Sequence, residues 1–261
     1  MLDNPLQNTL KAGRLGLAMI IKQVRSVDIA LAAKTCGYDA VYVDLEHSVI
    51  PEHDAAAICV TALQAGITPL VRVPSHDAHH ANRLLDAGAL GIVAPHVESA
   101  AEARHIVDAC RFAPLGARSV ANQWPHFGYA PMAPAEARQA LNEKTTVVVM
   151  LETPDAIEHA MEIAAVPGVD IVHIGSADLC DALGVPGQYG HPEVEAACRK
   201  VIDACRAHGK VAGVGGMGNA PEVAKKVIRM GVRFITAGNE WAFMMQAARQ
   251  RATMLRDLPL E

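Results

Sequence analysis

Short runs rich in β-branched residues recur along this chain at nearly even intervals: Leu17–Ile21, Ala40–Asp44, Pro69–Pro74, Gly91–Pro95, Thr146–Glu152, Asp170–Gly175, Lys210–Gly215 and Arg233–Ala237. Alanine-rich amphipathic stretches of helical length separate them. A strand followed by a helix and another strand implies parallel pairing. Eight such units in 261 residues is the number that closes a (β/α)8 TIM barrel, so we read residues 1–261 as one α/β barrel domain. An open doubly wound sheet is the competing architecture. It would place a glycine fingerprint after the first strand, where none occurs. The one glycine cluster, Gly213–Gly218, follows a late run with the wrong spacing and reads as a tight strand-to-helix turn rather than a phosphate cradle.

A hydrophobic content of 51% supports one large core. The formal charge of −5 and a pI near 6.2, without a lysine or arginine run, leave no electrostatic footprint for nucleic acid or an anionic membrane. A small-molecule partner is expected instead. Apolar runs are strand-length, short of the ~20 residues of a membrane span, and Met1–Arg14 lacks an apolar signal core, so a soluble cytoplasmic protein is expected. The six cysteines, Cys36, Cys59, Cys110, Cys180, Cys198 and Cys205, show no C-x-x-C spacing and read as reduced core thiols. One interval breaks the rhythm: the stretch from Arg111 to Pro134 is long and irregular and holds Trp124, Phe127 and Tyr129. Loops of that length are more often functional.

In a parallel barrel the chemistry sits at the carboxyl ends of the strands, so charged residues that end strand runs matter most. V-Y-V-D-L-E-H-S-V delivers Asp44, Glu46 and His47; P-L-V-R-V-P delivers Arg72; V-V-V-M-L-E-T-P delivers Glu152; and D-I-V-H-I-G-S-A-D-L runs into Asp178. Each acid alone is most simply a helix cap or the partner of an arginine. Together, two hard oxygen ligands on adjacent strands, with an arginine and a histidine nearby, form the arrangement expected for a divalent metal that binds an anionic oxo-acid. His173 lies mid-strand and reads as a core residue. His79, His80 and His105 read as helix-surface residues.

At these positions the chain resembles the class II metal-dependent pyruvate aldolases of the 4-hydroxy-2-oxoheptanedioate and 2-dehydro-3-deoxyglucarate aldolase family, over nearly its full length. The resemblance rests on D-L-E-H-S at Asp44–Ser48, V-R-V-P at Val71–Pro74, L-L-D-A-G at Leu84–Gly88, P-H-V-E-S-A-A-E-A-R at Pro95–Arg104, L-E-T at Leu151–Thr153, I-G-S-A-D-L at Ile174–Leu179 and H-P-E-V at His191–Val194. It implies a barrel whose C-terminal helix, Asn239–Arg256, is exchanged between subunits, usually of a hexamer. It implies Glu152 and Asp178 as ligands of a divalent metal (Mg, Mn, Co or Zn), and Arg72 as the group that steadies the enolate of pyruvate. Backbone amides of Gly175, Ser176 and Ala177 would hold the pyruvate carboxylate. His47 is implied as the acid/base, with Asp44 beside it and Asp86 reaching it from an adjoining subunit.

The implied reaction is reversible cleavage of a 4-hydroxy-2-oxo acid to pyruvate and an aldehyde through a metal-stabilised enolate. No Schiff-base lysine is needed, and none is expected at an interior strand end, since Lys144, Lys210, Lys225 and Lys226 fall at element edges or on helices. An acyl-CoA lyase or Claisen-type enzyme on the same barrel is the alternative, although no basic cluster for nucleotide phosphates is present. A non-enzymatic oligomeric binding protein is a further one, against which stands the intact set of Glu152, Asp178, Arg72 and His47. Three positions depart from the family pattern: Ala18, Met150 and Gly215 lose bulk or polarity. From Ala18 and Gly215 we expect a roomier pocket, and from residues 122–134 an aromatic surface that refills it.

Overall fold

The computed structural model describes residues 2–217 and 220–259, so the last glycine of the 213–218 cluster, Gly218, lies outside the described residues. Eight parallel strands, β1 (Gly16–Ile21), β2 (Ala40–Asp44), β3 (Thr68–Arg72), β4 (Gly91–Ala94), β5 (Thr146–Leu151), β6 (Ile171–Gly175), β7 (Val211–Gly215) and β8 (Phe234–Asn239), pair in chain order and close into a barrel. The helices between them are α2 (Asp28–Thr35), α3 (Glu52–Ala65), α4 (Ala78–Asp86), α5 (Ala100–Cys110), α6 (Pro134–Lys144), α7 (Pro154–Glu158), α8 (Ala160–Ala165), α9 (Ser176–Ala182), α10 (Pro192–His208) and α11 (Pro221–Met230), with α12 (Glu240–Arg256) last. None of the described helices is long and apolar enough to cross a membrane.

Side chains on a strand alternate between its two faces. One set of alternate residues, Val41 and Val43 on β2 with Val147, Val149 and Leu151 on β5 among them, packs outward against the helices. The other set fills the lumen: Ala18, Ala40, Tyr42, Leu70, Val93, Val148, Met150, Ile171 and Phe234. Continuing that inward series to the strand ends brings Asp44 after Tyr42, Arg72 after Leu70, and Glu152 after Met150. The period of two therefore delivers charged groups to the barrel mouth above an apolar lumen.

The amino end of the lumen is stoppered by α1 (Pro5–Lys11), an element absent from the βα rhythm. Leu6 is fully buried among the lumen residues. Asn4, the cap of α1, donates from Nδ2 to Thr146 Oγ1 at 3.1 Å and accepts from Thr68 Oγ1 at 2.9 Å, tying the plug to the first residues of β5 and β3. At the other terminus, Asn239 caps α12 by accepting the Ala242 N–H at 2.9 Å. Beyond its first turn this helix leaves the barrel, and Trp241, Met244, Met245, Met254 and Leu255 along it are exposed. Five of the six cysteines are buried and free; Cys36 is free and exposed.

Candidate active site

Asp44 and Arg72 are cross-strand partners at the ends of β2 and β3. The guanidinium grips the carboxylate at two points, Nε to Oδ1 at 2.9 Å and Nη2 to Oδ2 at 2.6 Å. Asp44 Oδ1 also accepts the backbone N–H groups of Glu46 and His47, each at 3.1 Å, which fixes the turn carrying those two residues. Burial alone would raise the Asp44 pKa, but the Arg72 hydrogen bonds and charge hold it below the usual carboxylate range. Arg72 in turn stands over the Tyr42 ring, 5.8 Å from its centroid, and pairs through Nη1 with Glu46 Oε2 at 2.7 Å.

Glu152 follows β5 and is 2% exposed. Its Oε2 accepts the backbone N–H of His96 at 2.8 Å and lies 3.0 Å from His96 Nδ1. Its Oε1 faces Gly175 so closely that a Cβ there would collide with it. Desolvation by burial lifts the Glu152 pKa to about 7; the charges of Asp178 and Glu46 add to the rise, and only His96 opposes it. Asp178, on the first turn of α9, is exposed toward the same mouth. Among the described residues, no group of three or more His, Cys, Asp or Glu side chains is placed to hold a metal alone. Two carboxylates with the remaining positions open is the composition of a catalytic rather than a structural metal site.

Sequence reading thus places Asp44, Arg72, His47, Glu152, Asp178 and Gly175–Ala177 at one end of the barrel, and the structure brings them together there. His47 is half exposed, with Nε2 4.0 Å from Glu46 Oε2. Asp86 does not join them within the chain. It ends α4, at the opposite end of the barrel, where its Oδ1 accepts from Arg118 Nη2 at 2.6 Å.

Two groups at the mouth escaped the sequence reading. His96, two places beyond the end of β4, links Glu46 to Glu152; an imidazole just past a strand end was the available signal. Lys22 directly follows β1, so a lysine does stand at a strand end, contrary to expectation. Its Nζ is 3.5 Å from Asp44 Oδ2, an ion pair rather than the isolated apolar setting that frees an amine for attack.

The expected roomy pocket is not found at its two anchor positions. Ala18 is fully buried in the lumen. A Cβ on Gly215 would lie 2.6 Å from Thr236 Oγ1 and 2.9 Å from His173 Nε2, so the glycine is filled against by its neighbours. His173 is a core residue as read, with its ring 5.4 Å from that of Phe234, and burial drives its pKa down to about 3. The aromatic loop does not reach the mouth of its own barrel either. It follows α5 and so emerges at the amino end of the strands, where Trp124 packs with Leu2, Leu90 and Phe112, and His126 Nε2 lies 2.9 Å from the Ala89 carbonyl.

Residues 21–247 match the HpcH/HpaI aldolase/citrate lyase family. The chain is 36% identical over 262 residues to a 4-hydroxy-4-methyl-2-oxoglutarate aldolase of Hapsidospora irregularis, covering 99% of this chain and 97% of that protein. It is 38% identical over 240 residues to a protein of the same name from Chaetomium globosum, covering 91% and 89% respectively. Among solved structures, the HpcH/HpaI aldolase of Desulfitobacterium hafniense superposes with a TM-score of 0.91 at 30% identity, covering 98% of each chain.

Proposed function

The chain belongs to the HpcH/HpaI aldolase/citrate lyase family, and we propose that it is a carbon–carbon lyase that reversibly cleaves a 4-hydroxy-2-oxo acid to pyruvate and an aldehyde with a divalent cation as cofactor. The observation that carries this reading is the buried Glu152 carboxylate, held up to a pKa of about 7 beside Asp178. A buried carboxylate with a second, exposed acid facing the same mouth would be stabilised by a cation held by the two. A divalent ion at Glu152 and Asp178, of the Mg, Mn, Co or Zn type, supplies the Lewis acidity that draws charge from the keto group of the oxo acid.

The chain's own residues then have distinct tasks. Arg72 uses Nε and one Nη2 hydrogen on Asp44 and pairs through Nη1 with Glu46, which still leaves N–H groups of the five-donor fork to bind the keto oxygen and the negative charge that develops on it. The backbone amides at Gly175, Ser176 and Ala177 open α9 without a side-chain cap, and they bind the pyruvate carboxylate. His47 takes the hydroxyl proton of the aldol as the C–C bond breaks and returns it during condensation. Asp44 holds the His47 backbone and the Arg72 fork in one arrangement. Asp86, remote from His47 within one chain, acts on the His47 of an adjoining copy.

An assembly follows from the same reading. The apolar side of α12 is exposed at Trp241, Met244 and Met245, which supports exchange of this helix between subunits of a hexamer. The buried free thiols support a cytoplasmic setting.

The test is pyruvate release from a panel of 4-hydroxy-2-oxo acids that includes 4-hydroxy-4-methyl-2-oxoglutarate. Wild type should release pyruvate. Glu152→Ala and Arg72→Lys should each lower kcat/KM by about 10²-fold or more. Full activity in Glu152→Ala would overturn the assignment.

A further inference from the structure

His96 is held in a conformation that its own backbone disfavours: φ is +51°, in the left-handed region. A non-glycine residue stays there when its surroundings over-determine it. Here they do. The backbone N–H donates to Glu152 Oε2 at 2.8 Å, ring Nδ1 lies 3.0 Å from the same oxygen, and ring Nε2 lies 2.7 Å from Glu46 Oε1. Glu46 is itself anchored, since its Oε2 is 2.7 Å from Arg72 Nη1. A continuous line of contacts therefore runs from Arg72 through Glu46 and His96 to Glu152. With the left-handed turn at residue 96, amide and imidazole converge on one carboxylate oxygen.

We propose that His96 is a positioning residue that occupies Glu152 Oε2 and so leaves Oε1 alone to ligate the metal, making Glu152 a one-oxygen ligand whose orientation is locked to that of Arg72. The inference rests on the metal reading above and adds to it the way the ligand is presented. Oε1 supports it by its own placement: it faces Gly175, at the start of the turn that carries Asp178, where only a glycine leaves room for it. Groups that orient a metal ligand from outside its coordination sphere commonly change affinity by 10- to 100-fold when removed.

The experiment titrates chelator-stripped protein with Mn²⁺ by calorimetry and records the visible spectrum of the Co²⁺ form. His96→Asn keeps a residue type that tolerates positive φ but cannot span both carboxylates; His96→Gly, which also suits this φ, serves as the second variant. Both should bind Mn²⁺ about 10- to 100-fold more weakly than wild type and change the Co²⁺ bands, because loss of the imidazole leaves Oε2 held by the backbone N–H alone, frees the carboxylate to turn and so alters the ligand field. A variant that folds by circular dichroism, binds Mn²⁺ like wild type and keeps the Co²⁺ spectrum overturns the positioning role while leaving the metal reading intact. A lowered Tm with an unchanged Co²⁺ spectrum overturns it equally, since it shows a purely structural part. Wild type that takes up no Mn²⁺ overturns both.

Discussion

At the scale of single residues, the mouth of this barrel is a set of charges that satisfy one another in a definite order. Asp44 is fully committed to Arg72 and two backbone N–H groups and stays ionised, whereas Glu152 is left protonated more readily by its burial. A carboxylate must lose its proton before it binds a cation, so protons and metal compete at Glu152. With its pKa at about 7, apparent Mn²⁺ affinity of the stripped protein should climb as pH rises toward that value, by up to about tenfold per unit, and level off above it. Calorimetric titration across that range checks this, and a flat profile would contradict it. Asp44, Arg72 and Glu152 were legible in the sequence because each extends an inward period-two series by one step. His96 and Lys22 were not. The first depends on a left-handed turn, and the second on the Glu240 carboxylate, whose Oε1 collects the N–H groups of Lys22, Gln23 and Val24 at 2.8, 2.6 and 3.0 Å from far along the chain. Neither a turn's handedness nor so remote a partner leaves a local pattern.

At the scale of elements, all eight strands were readable from β-branched runs bounded by helical stretches, because burial on both faces of a parallel strand makes the run apolar throughout. What the pattern could not show is which small residues are small because something already fills their space. Gly213 and Gly215 of β7 illustrate this. A Cβ on Gly213 would lie 2.6 Å from His173 Nδ1 and 2.9 Å from Phe234 Cδ1, while one on Gly215 meets Thr236 and the other ring nitrogen of His173. The bulk missing from β7 is supplied by β6 and β8. Gly215→Leu should therefore cost stability, about 1–3 kcal/mol or more, instead of trimming a substrate pocket. Chemical denaturation measures it; a variant of wild-type stability with an altered aldehyde preference would restore the roomy-pocket idea. The α1 plug was also missed, since a seven-residue helix ahead of the first strand has no place in the repeat.

At the scale of the whole molecule, two features point outward from the single chain. Helix α12 leaves its own barrel with an apolar side exposed, and Asp86 stands at the far end from the His47 it is proposed to assist. Both fit the proposed subunits that complete one another, and a substitution that places charge on the apolar side of α12 tests whether it is a shared face. Trp241→Glu with Met244→Glu is expected to shift light-scattering mass to a smaller assembly and to lower turnover in parallel; an unchanged mass would show that α12 is not the shared element. These relations were carried by family resemblance alone, since strand periods say nothing of neighbouring copies. The carboxylates at the barrel mouth are proposed to work through a divalent cation and not through an amine. Pyruvate release from a 4-hydroxy-2-oxo acid should cease in excess chelator and return on adding Mg²⁺, Mn²⁺ or Co²⁺; undiminished release in chelator, with borohydride trapping pyruvate on Lys22, would contradict it.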